Sequence, residues 1–249
     1  MEDFIYHYTT ISTLALILSS KKIRFNRLDK VDDIEEGELK IGPNNLKMGQ
    51  YTFVSCWTKD PIENIALWNM YTKYQGIRIK MKPDIFKGYT KNNSKVQLYF
   101  DEDKIYEDKG CYINHLSNII KLYDVIYTDK LEESVQNSTI EIKRNHFYIM
   151  NSKIGIWKSK QWEFQKECRF KIIVYPYSKD RETEKCLFNN NCPINLNELY
   201  IDLNENAFTH MEITLGPLCT ESDKIIVQSL LSYHNIIPQV KNSNLRLRK

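Results

Sequence analysis

The sequence predicts an α+β fold with a mixed or antiparallel sheet, and three observations predict it. Period-two stretches such as Ile77–Met81 and Glu167–Ile172 read as strands. Separate stretches repeat apolar residues at i, i+3, i+4 and i+7, as Ile11, Leu14, Ala15 and Leu18 do, and read as helices. The two kinds do not alternate as regular βαβ units, which argues against a doubly wound parallel sheet. At 249 residues, with 42% apolar content, the chain is read as one domain, residues 1–249, with an inserted loop at 178–197.

Along the chain, Ile5-Tyr6-His7-Tyr8 reads as a short strand running into the first helix, which Thr10 or Ser12 can cap. Lys22 to Phe25 follows as a second strand. An acidic stretch comes next, with Asp29, Asp32, Asp33, Glu35, Glu36 and Glu38, and it reads as a solvated loop. Oxygen ligands there could hold Mg²⁺, but no second acidic cluster completes a two-metal site. Tyr51 to Trp57 is rich in aromatic and β-branched residues and reads as a strand. Asp60 as N-cap, Pro61 at N1 and Glu63 at N3 predict a helix that ends at Gly76. Ile77 to Met81 is the next strand.

Residues 87 to 110 are polar and carry no clear pattern. Val125-Ile126-Tyr127 reads as a strand leading to a helix from about 130 to 151. The 178–197 segment, rich in Asn, Lys and Glu with Pro193, reads as an inserted loop. Met211 to Leu215 predicts a strand that turns at Gly216-Pro217. A last helix starts at Thr220 with Asp223 at N3, burying Ile226, Leu230 and Leu231. Ile237 to Val240 and a basic tail end the chain.

Composition excludes several functions. The formal charge of +3 creates no strong field toward nucleic acid. The six cysteines contain no CxxC pair, no His lies at zinc-finger spacing, and no signal peptide or run of about 18 apolar residues occurs. Cys186 and Cys192 could bridge, yet the whole reads as a cytosolic protein with reduced thiols and no membrane segment. None of the eight glycines falls in a dinucleotide or P-loop motif, and HExxH, GxSxG and EF-hand patterns are absent.

The densest chemical signal is Glu167-Cys168-Arg169-Phe170-Lys171-Ile172. Its alternation puts a carboxylate and two cations on one strand face, after a lead-in with Trp157 and Trp162. That face is either a solvated surface with an exposed ion pair or the floor of an anion-binding site. His7 reads as a structural histidine or a site residue. Trp68 and Tyr71, at i and i+3, read as core or as a stacking surface. Cys56 and Cys168 read as buried thiols.

Several blocks in order resemble a widespread bacterial family known only as a domain of unknown function. They are Tyr6-His7-Tyr8, Asp32-Asp33-Ile34-Glu35-Glu36, Ser55-Cys56-Trp57, Trp68-Asn69-Met70-Tyr71, Gly76-Ile77-Arg78-Ile79, Trp162 to Arg169, and Gly216-Pro217. Gln165 stands where that family has the first Glu of its Trp-x-x-Glu-x-Glu-x-Arg block, and the acidic loop lacks its Asn-Pro pair. The same order more distantly resembles the ADP-ribosyltransferase superfamily of the His-Tyr-Glu type. That resemblance implies a split sheet flanked by helices, with NAD as substrate. It implies catalytic roles for Glu167, His7 and Tyr71, and a hydroxyl role for Thr9. Trp68 and Trp162 would then be aromatic contacts, and Arg27, Arg78 and Arg169 pyrophosphate contacts.

The leading expectation is therefore an ADP-ribosyltransferase or NAD glycohydrolase, of the kind used as bacterial toxins or anti-phage effectors. Protein, nucleic acid and water all stay open as acceptor. One alternative is a nucleic-acid-binding or RNA-processing module using Lys153, Lys158, Lys160, Lys166 and Arg169 with Trp157 and Trp162. The other is a non-catalytic partner subunit of a defence system.

Overall fold

The structure, a computed structural model, describes residues 3–38, 40–41, 46–90, 97–116, 118, 120–143, 146–177 and 192–248. Among these, nine strands form one sheet. They are β1 (Ile5–Thr9), β2 (Lys22–Arg27), β3 (Thr52–Thr58), β4 (Ile77–Met81), β5 (Leu122–Asp124), β6 (Glu167–Ile173), β7 (Glu198–Asp202), β8 (Glu212–Leu215) and β9 (Gln239–Asn242). The spatial order is β5-β6-β3-β1-β4-β8-β9, with β2 also pairing β3, and β7 pairing β2. Every pair is antiparallel except β8 with β9, so the sheet is mixed, as the sequence predicts.

One edge of β3 serves two partners. Asn26 and Arg27 of β2 oppose Val54 and Phe53 at its start, and Tyr6 of β1 opposes Thr58 at its end. The register leaves Ser55, Cys56 and Trp57 between them without a ladder partner on that edge, so the sheet splits there. The connection across the split is α1 (Ile11–Ser20). Thr10 caps it, its hydroxyl accepting from Thr13 N–H at 3.1 Å, and Lys21 ends it in the left-handed region at φ 52°. Leu14, Ile17 and Leu18 of α1 are buried against the sheet with Phe25, Phe53 and Ile79. Each such apolar side chain contributes roughly 1.5–3 kcal/mol on burial.

Four sequence expectations need correction. The helix predicted from Asp60 begins later, as α3 (Ile65–Thr72), which follows α2 (Ile34–Glu38) in the chain. Its cap is Asn64, which accepts from Ala66 and Leu67 N–H. Asp60 instead closes a turn onto Ile62 N–H and pairs with Lys166, while Glu63 accepts from the Trp68 indole. The long helix predicted at 130–151 stops as α4 (Leu131–Thr139); Ile140–Lys143 and His146–Ile149 then form a hairpin. The alternation from Thr139 to Ile142 is a strand period that overrides the helix. The final helix, α5 (Glu221–Tyr233), has the predicted capping box, but it buries Val227 and Leu231 while Ile226 is 50% exposed. The acidic stretch is not a solvated loop, since it forms a 3-10 turn and α2 with Asp33 and Glu36 buried.

Part of the predicted 178–197 insertion, residues 178–191, lies outside the described residues. Beyond it, Ile194 and Leu196 belong to the core as the chain enters β7. Cys56, Cys111, Cys168 and Cys219 are free, whereas Cys192 is disulfide-bonded, contrary to the expectation of reduced thiols throughout. Cys186 lies outside the described residues. No helix among the described residues is long and apolar enough to cross a membrane.

Candidate functional site

The split between β1 and β2 opens into a cavity of about 400 Å³. His7 and Thr9 come from β1, Cys56 from β3 and Tyr71 from α3, with Gln165 and Glu167 at the head of β6. Thr13, Ile17 and Ser20 of α1 also line it, where that helix spans the gap. Lys22 and Arg24 of β2, with Lys30, Asp32 and Tyr200, are also part of the lining. Polar groups converging in a concave pocket of this size are what a small-molecule site requires.

Strand register decides which groups share a face. Tyr6 and Glu167 both oppose Thr58, so those side chains lie on one face. Cys56 and Arg169 oppose each other on that face, and Arg24 and Lys22 join it through the Asn26–Val54 pair. His7, one residue on from Tyr6, lies on the other face, its ring 4.9 Å from that of Trp57. The imidazole and the carboxylate therefore start on opposite faces and share the cavity because the sheet is open between them.

Glu167 is buried, and so are the two cations that hold it. Oε1 accepts from Arg169 Nε at 2.8 Å and lies 2.6 Å from Nη2; Oε2 accepts from Lys158 Nζ at 3.1 Å. Arg169 extends its guanidinium to Glu36 of α2 and donates to Gly155 O at 3.0 Å. Burial alone would raise the Glu167 carboxyl, but Arg169 and Lys158 outweigh it and hold its pKa below the ordinary value. Glu36 goes the other way. Burial, helped by the charge of Glu167, pushes it up to about 7 against the pull of Arg169 and Lys158. Burial and the adjacent Glu167 also push the Cys56 thiol well up, so it stays protonated.

Tyr71 is 38% exposed. Its hydroxyl donates to Asp32 Oδ2 at 2.7 Å and accepts from Gln165 Nε2 at 3.1 Å. Gln165 Oε1 in turn accepts from Lys158 Nζ at 2.8 Å, so Tyr71 is linked to Glu167 through two side chains. Burial and the Asp32 bond raise the phenol well above its ordinary value. Across the split, His7 Nδ1–H donates to the Cys56 carbonyl at 2.9 Å, filling the gap the ladder leaves. Burial lowers its pKa, so the ring is neutral near pH 7 and Nε2 keeps its lone pair.

His7, Thr9, Tyr71 and Glu167 thus line one cavity; the other residues named for the site do not. Trp68 is fully buried in a small cluster with Tyr8 and Leu67, and reads as core. Trp162 stacks on Phe164 and lies over Lys158, away from the lining. Arg27 is tied to Asp29 and Ile194 O. Arg78 is buried over the Tyr6 ring and donates to Pro61 O. Arg169 is fully buried and occupied by two carboxylates, so it is not a phosphate contact.

The third charged position of β6, Lys171, donates to the carbonyls of Asn151, Ser152 and Ile154. Residues 151–155 and α2 cover the strand face that alternation alone marked as half-exposed; all seven positions of β6 are buried. Lys158 and Arg169, assigned to phosphates in the nucleic-acid alternative, are buried too. No group of three or more His, Cys, Asp or Glu among the described residues is placed to hold a metal ion.

Sequence reasoning missed the cations that do line the cavity, Lys22, Arg24 and Lys30, and the aromatic rim residue Tyr200. Lys22 and Arg24 pair with Asp202 at 3.2 Å and Glu198 at 3.5 Å in solvent-exposed bridges. Such bridges are weak enough for an anion to compete with them. The Lys22-Ile23-Arg24-Phe25 alternation marked the outward face, but the pairing with residues 198–202 has no local signature. Comparison with known proteins finds no matching family model, no matching curated protein and no matching solved structure.

Proposed function

We propose that the cleft binds NAD and cleaves its nicotinamide–ribose bond, which makes the protein an ADP-ribosyltransferase or NAD glycohydrolase. Such an activity suits a toxin or anti-phage effector. The observation that carries the reading is the convergence of His7, Tyr71 and Glu167, from three distant stretches, on one cavity of about 400 Å³ with cations on its wall.

In this reading the bond from ribose C1′ to the pyridinium nitrogen breaks, and its electron pair leaves with neutral nicotinamide. The ribose becomes oxocarbenium-like, and a carboxylate already ionised stabilises it. Glu167 is suited to that role. Arg169 and Lys158 keep it charged, and it lines the cavity, where a ribose hydroxyl would donate to it. His7 Nε2 is an acceptor for another hydroxyl. With the Tyr71 hydroxyl tied to Asp32 and Gln165, its ring is fixed as a stacking face, a contact worth about 0.5–2 kcal/mol against a cation. Lys22, Arg24 and Lys30 take the pyrophosphate role first assigned to Arg27, Arg78 and Arg169. Attack on C1′ by water or by an acceptor completes the reaction.

Equilibrium binding of NAD by calorimetry tests this. Arg24→Ala is expected to weaken binding by about tenfold, from the loss of one charge-assisted contact. Tyr71→Ala is expected to weaken it too. No binding by folded wild-type protein would overturn the reading.

A further inference from the structure

We propose that Glu36 is a positioning residue for the cleft, which through Arg169 sets the orientation of Glu167. The catalytic half of this rests on the NAD reading above; the structural half does not.

The geometry is a shared fork. Arg169 turns its Nε edge toward Glu167 Oε1 and its terminal nitrogens toward Glu36, with Glu36 Oε2 3.4 Å from Nη2. Lys158 touches the same two acids from the opposite side, 3.1 Å from Glu167 and 3.9 Å from Glu36. All four side chains have 6% exposure or less, so water does not compete for them. A guanidinium is planar and its donors are fixed in direction, so a carboxylate on one edge determines where the other edge points. Without Glu36, the terminal nitrogens keep, among the described residues, the Gly155 carbonyl and part of Glu167, and the plane is free to rotate.

The segment that carries Glu36 also carries Asp32, which accepts from the Tyr71 hydroxyl at 2.7 Å. Residues 32–36 therefore hold two of the three site residues at once, one through a buried ion pair and one through a rim hydrogen bond. The groups facing Glu36 are Arg169 and Glu167 from β6 and Lys158 from the strand Trp157–Ser159. Tyr127, whose hydroxyl accepts from Glu167 N–H, and Cys56 stand behind Glu167. Burial pushes Glu36 up to about 7 while Arg169 and Lys158 hold Glu167 below its ordinary value, so two carboxylates sharing one guanidinium are expected to titrate as a coupled pair.

The experiment is a carboxyl ¹³C NMR titration of glutamate-labelled protein, with no NAD present, comparing wild type with Glu36→Gln and Arg169→Lys. In wild type the Glu167 resonance is expected to show a secondary inflection near pH 7, reporting Glu36. Glu36→Gln is expected to abolish that inflection and keep Glu167 ionised. Arg169→Lys keeps the charge but loses the fork, and is expected to raise the Glu167 midpoint. If Glu36→Gln does not fold, the wild-type inflection and the Arg169→Lys shift decide the matter. Glu167 curves that superimpose in wild type and the folded variants would overturn the proposal. In a paired kinetic arm, Glu36→Ala is expected to lower kcat for nicotinamide release by about 100-fold with KM little changed, and Glu36→Gln to restore part of it. Absence of release from wild type would count against the NAD reading alone, since the NMR arm stands without it.

Discussion

Replacing Arg169 by Met probes the buried cluster most severely. The side chain is fully buried and bridges two acids, with Glu36 on one side and Glu167 2.6 Å away on the other. Met keeps the apolar stem and removes the charge. Among the described residues, Lys158 is then the cation left facing the two carboxylates, since Lys171 is occupied by three carbonyls. Breaking a buried pair from one side costs about 3–5 kcal/mol, a large share of the roughly 5–15 kcal/mol that holds a domain folded.

The loss depends on pH, with a definite sign. The Glu36 pKa is raised to about 7 in the folded state. Its contribution is therefore fully present below the unfolded value and fades as pH rises through about 7. In the variant a protonated Glu36 removes one of the two uncompensated charges, so the deficit at pH 8 should exceed that at pH 5.5. Urea denaturation at both pH values measures it. The double variant Arg169→Met with Glu36→Leu should recover much of the loss, because an apolar pair of similar volume replaces a buried ion pair at little cost. A single variant within about 0.5 kcal/mol of wild type at pH 8, the range of ordinary surface substitutions, would refute the burial of this cluster.

Gly76→Ala would place a Cβ 2.3 Å from the Thr9 carbonyl and 2.6 Å from Thr72 Cγ2. It should cost at least about 1–3 kcal/mol and disturb the cleft wall at Thr9; an unchanged urea midpoint would contradict that packing. Lys171 is lowered to about 7 by burial, then by the charge of Arg169. The unfolded chain thus binds more protons between about 7 and 10.5, and stability should rise with pH across that window. Lys171→Met should flatten this rise, and identical slopes for the two proteins would sink the assignment. Thr220→Ala removes the hydroxyl half of the α5 capping box, leaving the Thr220 N–H bond to Asp223, and should cost about 1 kcal/mol by thermal melting, with no effect on NAD binding.

Local chemistry was legible in the sequence where it acts over a few residues. Thr10 and the Thr220–Asp223 pair are caps because each hydroxyl reaches a backbone N–H within three residues. The strands at Ile5, Thr52, Ile77 and Glu167 follow from alternation and β-branched content. The helix signal at Asp60-Pro61 was real turn chemistry, but Glu63 bonds Ser243 and Asn244 and Asp60 pairs with Lys166, partners too far along the chain to be visible locally. Burial misled most. The charged face of β6 looks solvated unless one knows that α2 and residues 151–155 fold over it and supply the Glu36 carboxylate and four carbonyl partners. For the same reason Arg169 passed for a phosphate contact, while the cations on the cleft wall, Lys22 and Arg24, depend on a split in the sheet that no spacing records.

The most direct test is nicotinamide release from NAD in a cell lysate containing nucleic acid and protein acceptors, for wild type against Glu167→Gln, with both shown folded. Release by wild type and its loss in the variant is the expected result, and it would place Glu167 at the bond being broken. Absence of release from the folded wild type, or equal release from both, would contradict the assignment of this cleft to NAD cleavage by Glu167.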